Sequence, residues 1–338
     1  MPIHFPRNQR QEPTIACACT LYDLVLDRDW RAVISHCEMH PQDAAYTDPD
    51  TFGETPLYLA MNWNPPLAAV KALIKACPDA IYPQTKNRDC PIHLACRYGA
   101  SLEVIRCLLE ADPRTAALNT KYGENPLFAL YKFFEASHSA VDLDVNFLRN
   151  DPDGSSLWSK VELILTTAYT GKIVAPTAES TTCHDIKNHK LLHCAIGVSC
   201  PEIFQMILFE LYPNEAHEPM VEREYKFPLH VALEMPHSEK RSAFIVDELL
   251  KLYPGAAIKV NSDGQYPIHV ALNQRKTWNG GLHRLFLAAP GLITVQDPIS
   301  RIFSFSTGSF FVDNNFFVTH IKAGCDSKNH GELIFVII

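Results

Sequence analysis

The residues of this chain best equipped for chemistry are histidines and cysteines. His93, His193, His230 and His269 could move protons, and Cys183, His184, Asp185, His189, His193 and Cys194 bring zinc-ligand types into one short stretch. Neither set reads as a site. The short stretch lacks the Cys-x2-Cys spacing of structural zinc centres. Cys17 and Cys19 stand too close for the common zinc motifs, and Cys90 and Cys96 read as small apolar residues flanking a helix. No phosphate loop, dinucleotide fingerprint or nucleophile elbow occurs in a chain with 14 glycines. No catalytic residue, metal or cofactor is expected.

The four histidines share one phrase. Cys90-Pro91-Ile92-His93-Leu94-Ala95, Phe227-Pro228-Leu229-His230-Val231-Ala232 and Tyr266-Pro267-Ile268-His269-Val270-Ala271 repeat it closely. Lys190-Leu191-Leu192-His193-Cys194-Ala195 lacks the proline, while Pro56 and Pro126 open versions with Tyr58 and Phe128 in the histidine position. Pro91 stands 35 residues after Pro56 and 35 before Pro126; Leu191 follows 65 later, Pro228 a further 37, Pro267 a further 39. A period near 35 marks a repeat protein. A second proline, at 78, 113, 213, 254 and 290, keeps step 22 to 26 residues behind each opening. Weaker copies fall in phase at Thr20, with Pro41 behind it, and at Arg301-Ile302-Phe303-Ser304. Tyr58 and Phe128 show that the shared position does not require proton transfer.

Local rules give each repeat its anatomy. A polar turn such as Asn87-Arg88-Asp89, or the glycine turns at Gly53, Gly123 and Gly264, comes first. Proline at the opening residue suits a helix start, where its missing N–H costs nothing. Gly99-Ala100-Ser101 breaks the first helix, and Ser101 is a good N-cap for the second. Val104, Ile105, Leu108 and Leu109 form an apolar stripe of helical period, which Asp112-Pro113 ends. Neither helix can bury its stripe alone, so the repeats must stack.

Turn glycine, Pro-Leu-His-x-Ala and a Leu-Leu second helix, in this order and spacing over about residues 20 to 304, resemble the ankyrin repeat family. The resemblance implies an all-α solenoid of stacked helix-turn-helix repeats, starting near 20, 52, 87, 122, 187, 224 and 263. It implies that His93, His193, His230 and His269 bond neighbouring loop backbone, with Pro56, Pro91, Pro126, Pro228 and Pro267 as structural companions. The period exceeds the family's usual 33, with a Pro-x-x-Ala joint such as Pro113-Arg114-Thr115-Ala116 after the second helix, so the hairpin fingers are expected to be altered or lost. Residues 1–19 read as a tail, 135–157 as an acidic insertion, and 305–338 as an atypical cap or a tail outside the array. Thr170 to Asp185 reads as a stretched joint, and Leu333 to Ile338 as an aggregation-prone window.

Net charge is −8 with no basic run, so broad nucleic-acid binding is not expected. Eleven cysteines without an N-terminal signal sequence read as reduced thiols in a cytoplasmic or nuclear protein. No apolar run is long enough to span a membrane. The expectation is a monomeric, non-catalytic scaffold that binds a protein on the concave face. Trp63, Arg97, Tyr98, Tyr122, Lys132, Glu234, Met235, Asn273 and Gln274 are the candidate contacts, because they vary between repeats and include hot-spot types. Docking through 135–157 is the alternative; a metal-stabilised or catalytic module around 183–194 is a third reading, and a chain with no selected partner a fourth.

Overall fold

The computed structural model describes residues 15–48, 53–83, 85–138, 141–173, 190–220 and 224–301, with backbone only at 15–19 and 293. Fifteen α-helices and a series of 3-10 turns make up an all-α chain, with no strand among the described residues. It divides into two compact units, Met1–Ile186 and Lys187–Ile338.

In the first unit, helices come in pairs: α1 (Ile15–Leu26) with α2 (Trp30–Met39), α3 (Pro56–Ala60) with α4 (Leu67–Ala76), and α5 (Pro91–Arg97) with α6 (Leu102–Ala111). α7 (Pro126–Ser137), α8 (Val145–Asn150) and α9 (Pro152–Thr170) complete it. First helices pack side by side, α1 on α3, α3 on α5, α5 on α7; second helices do the same, α2 on α4, α4 on α6, α6 on α9. The second unit pairs α10 (Leu191–Gly197) with α11 (Glu202–Leu211), α12 (Pro228–Glu234) with α13 (Glu239–Leu252), and α14 (Pro267–Asn273) with α15 (His283–Ala288). There α12 lies on both α10 and α14, and α13 on α15.

Sequence explains the starts and stops. Thr55 Oγ1 accepts the Tyr58 N–H at 3.2 Å, and Asn125 Oδ1 accepts those of Leu127 and Phe128 at 3.1 and 3.3 Å. At Cys90 and Tyr266 the histidine three residues on supplies the reciprocal bond of a capping box: Nδ1 of His93 accepts the Cys90 N–H at 3.1 Å and Nδ1 of His269 the Tyr266 N–H at 3.4 Å. The trailing prolines each open a 3-10 turn, at Pro78–Ile81, Pro113–Ala117, Pro213–His217, Pro254–Ile258 and Pro290–Thr294. Three residues after the proline, Ala116, Ala216 and Ala257 are buried, so the joint presses a small side chain into the core.

Two boundaries differ from the sequence reading. α1 begins at Ile15, inside the expected tail, because Ile15-Ala16-Cys17-Ala18-Cys19 continues its apolar character. The stretch 135–157 is largely helical: α7 runs on to Ser137, α8 fills its middle and α9 starts at Pro152. Phe134, His138 and Phe147 gather there, with ring centroids 4.8 to 5.9 Å apart, and Val145 and Leu148 are buried. Asp144 and Asp151 are caps rather than free charges, accepting from Phe147 N–H at 2.7 Å and Asp153 N–H at 2.8 Å. The fingers, expected to be altered or lost, are reduced to turns closed by single hydrogen bonds, with no strand among the described residues. Asp48 N–H bonds Glu54 O at 3.2 Å, Thr120 N–H bonds Glu124 O at 2.9 Å, Met220 N–H bonds Lys226 O at 2.9 Å, and Asn261 N–H bonds Gln265 O at 3.1 Å. Residues 1–14, 174–189 and 302–338 lie outside the described residues, and with them most of the stretched joint, the C-terminal cap or tail and the window Leu333 to Ile338.

Candidate interaction surface

Each repeat histidine is buried and reaches forward to a main-chain carbonyl. His93 Nε2 lies 3.0 Å from Leu118 O, His193 Nε2 3.0 Å from Lys226 O, His230 Nε2 3.2 Å from Gln265 O and His269 Nε2 3.3 Å from Val295 O. A carbonyl only accepts, so Nε2 carries the proton in each ring. In His93 and His269 the other nitrogen accepts the cap N–H, which makes the required state the neutral ring. Burial, first of all, pushes His93 down, and His193 and His230 down to about 4.

A second set of bonds repeats where no motif announces it. His237 Nε2 lies 3.0 Å from Ile196 O, Arg241 donates to Cys200 O at 2.5 Å, and Lys276 Nζ donates to Met235 O at 2.5 Å, each spanning 41 residues. In the first unit, buried Lys160 reaches Gly99 O at 3.4 Å. All four acceptors lie at or just beyond the C-terminal end of a first helix, where carbonyls lack helical partners and favour donors carrying positive charge. A donor side chain nine positions after the opening proline, His237 after Pro228 and Lys276 after Pro267, was the available sequence signal.

The candidate contacts fall into two classes. Counted from the opening proline, positions −2 and +6 meet across the first helix. Asp89 lies 3.7 Å from Arg97, Glu124 pairs with Lys132, and Lys226 pairs with Glu234 at 2.9 Å with the charges exchanged. In α14 the pair is neutral: Gln265 and Asn273 each donate to Asp297, at 3.1 and 3.2 Å. Burial pushes the Asp297 carboxyl up, but the hydrogen bonds from Ser300, Gln265 and Asn273 outweigh it and hold it well below the usual range. Arg97, Lys132, Glu234 and Asn273 therefore have intrachain partners. Trp63 lies beneath the Arg28 guanidinium, 5.2 Å from the ring centroid, and Met235 is half-buried.

Tyr98, Tyr122 and Gln274 are exposed, Tyr122 at 72% and Tyr98 at 47%. Adjacent turn tips are bonded together: Lys121 N–H to Asn87 O at 2.8 Å in the first unit, Ser262 N–H to Glu224 O at 3.0 Å in the second. In each unit two adjacent tips are thus joined into one edge.

His193 and Cys194 are buried in α10, while Cys183, His184, Asp185 and His189 lie outside the described residues. Among the described residues no group of three or more His, Cys, Asp or Glu side chains is placed to hold a metal ion, and no helix is long and apolar enough to cross a membrane. Burial pushes the Cys90, Cys96 and Cys200 thiols up to about 12, far from the thiolate a nucleophile needs. No protein-family model matches the chain, and no curated protein is significantly similar to it.

Proposed function

We propose that the chain is a non-catalytic protein-binding scaffold, an ankyrin-like solenoid that presents its partner surface along the turn tips and the exposed ends of the first helices. The observation that supports this most is the contrast inside each repeat. The histidine, its carbonyl acceptor and the joint keep one geometry, while the neighbouring surface changes sign and character: Asp89 with Arg97, Lys226 with Glu234, Gln265 with Asn273. A frame held constant beneath a varied surface is what recognition by complementarity requires.

Pull-down or proximity labelling with the wild-type chain and with Tyr98→Ala/Tyr122→Ala tests the reading. Both side chains are exposed, so the variant should melt like the wild type and lose captured proteins. A variant that melts normally and captures the same proteins at the same yield would defeat it.

A further inference from the structure

Position for position, the tips and first helices differ in charge from repeat to repeat. In the fourteen residues running from −6 to +7 around Pro91 and around Pro126, five cations (Lys86, Arg88, Arg97, Lys121, Lys132) face two carboxylates (Asp89, Glu124), a net charge of +3. The same windows around Pro228 and Pro267 hold Glu222, Glu224, Glu234 and Asp263 against Arg223 and Lys226, a net charge of −2. The window around Pro56 carries Asp50 and Glu54 and no cation. The window around Leu191 holds Lys187 and Lys190 against Asp185, a net charge of +1, so in a chain of net charge −8 the strongest cationic stretch is the adjacent pair of tips around Pro91 and Pro126.

Those two tips are physically joined and carry the most exposed tyrosine. The Lys121 N–H bond to Asn87 O sets the turn of Arg88 beside the turn of Tyr122, and α5 lies against α7. Lys121 Nζ stands 4.9 Å from the Tyr122 ring centroid, and Tyr98 closes the α5 end. Asp89 and Glu124 are engaged by Arg97 and Lys132, and Arg88 and Lys121 stand at the outer rim. Arg88 is held at a φ of 58°, a left-handed turn conformation.

We propose that this edge docks an acidic peptide segment of a partner protein, with aromatic or aliphatic side chains between its carboxylates. The cations match the carboxylates, and Tyr98 and Tyr122 offer flat faces for the intervening side chains. A long polyanion such as nucleic acid would extend past the two tips onto the acidic neighbours around Pro56, whereas a short peptide would not. The proposal rests on the reading of the chain as a protein-binding scaffold, whose partner it narrows.

The test uses the full chain and a fluorescein-labelled fifteen-residue peptide of alternating Glu and Leu/Tyr, followed by fluorescence anisotropy. Saturable binding that weakens with salt is expected. Arg88→Glu/Lys121→Glu should reduce affinity roughly tenfold or more, Tyr122→Ala several-fold, and Glu224→Lys/Asp263→Lys in the second unit hardly at all. Circular dichroism melts confirm that each variant is folded. The proposal is overturned by equal binding to the charge-reversed variant, by equal binding of a Lys-for-Glu peptide, or by tighter binding of a fifteen-nucleotide single strand of DNA. It is also overturned if sedimentation shows the tips buried in self-association that the same reversal abolishes. A protein partner that crosslinks to a photoreactive residue at position 274 but not at 122, alongside a failed peptide titration, would sink this proposal and leave the scaffold reading standing.

Discussion

Glu215 Oε2 lies 2.8 Å from the backbone nitrogen of Leu192, 23 residues away in sequence. First helices that open on proline bring no N–H at that position, but α10 opens on Leu191, which does. Glu215 accepts from both Leu191 and Leu192. One substitution in the repeat phrase is thus answered by another residue in the next joint.

Glu215→Ala should therefore destabilise the second unit by about 1–2 kcal/mol in urea titrations, the cost of losing a helix cap with buried donors beneath it. In a Leu191→Pro background the loss should shrink, because one of the two donors is gone. A double-mutant cycle without coupling contradicts the relationship.

Acid should weaken the second unit. Burial pushes His193, His230 and His237 down to about 4, with Lys190, Lys226, Arg241 and Lys276 acting more weakly in the same direction. Unfolded imidazoles titrate near about 6.5, so below that pH the unfolded chain binds protons that the folded unit refuses. Their contribution is complete above pH ~6.5 and is lost as the pH falls toward 4, on the order of 3 kcal/mol for each of His193 and His230 and less for the half-buried His237. Glu215 opposes them. Burial raises its carboxyl to about 7, so its contribution is complete below the ordinary carboxylate value and lost as the pH rises to 7. Three groups outweigh one. Melts followed by Trp278 fluorescence should show Tm falling between pH 6.5 and 4, with a shallower slope in His230→Phe; a flat Tm across that window rules this out.

Gly99 should tolerate no side chain. Its φ is +71°, and a Cβ there would meet the Phe133 ring at 2.3 Å. Gly99→Ala should cost roughly 2–4 kcal/mol, adding a left-handed backbone penalty to a steric one. Phe133→Leu in that background should recover part of the loss. Recovery of the whole loss would mean that the backbone conformation carries no penalty.

The clasp between Lys226 and Glu234 is a charge relationship and should survive exchange. Lys226→Glu should destabilise by about 1 kcal/mol, the scale of a partly exposed ion pair turned repulsive. Lys226→Glu/Glu234→Lys should restore part of it, as the opposite polarity of Asp89 with Arg97 leads one to expect; the remainder is the repulsion between the new carboxylate and Glu224, which lies 2.7 Å from Lys226 Nζ in the wild type. If the double variant is less stable than the single, the pairing is not what positions these side chains.

The helical pairs were legible because proline, glycine and the apolar stripe act locally. Pro91 opens α5, Ser101 caps α6 through the Val104 N–H at 3.4 Å, and Pro113 opens the joint, each by the chemistry of one residue. The surface was less legible because exposure depends on what lies across a turn. Arg97 and Lys132 look free in sequence until Asp89 and Glu124 come back along the helix to meet them. Asp297, 24 residues after Asn273 and outside any phrase, carried no signal at all. The region 135–157 misled through its composition: its aspartates read as solvent-loving charge, yet two of them hold helix ends.

Every repeat histidine grips a peptide oxygen, a group that all twenty residue types supply alike. The segment being gripped can therefore exchange every one of its side chains without loosening the seam. Duplication or loss of a histidine-bearing repeat leaves a donor facing an acceptor at the new junction with another such repeat. Surface identity and copy number are both free to drift in a chain fastened this way, provided the imidazoles stay.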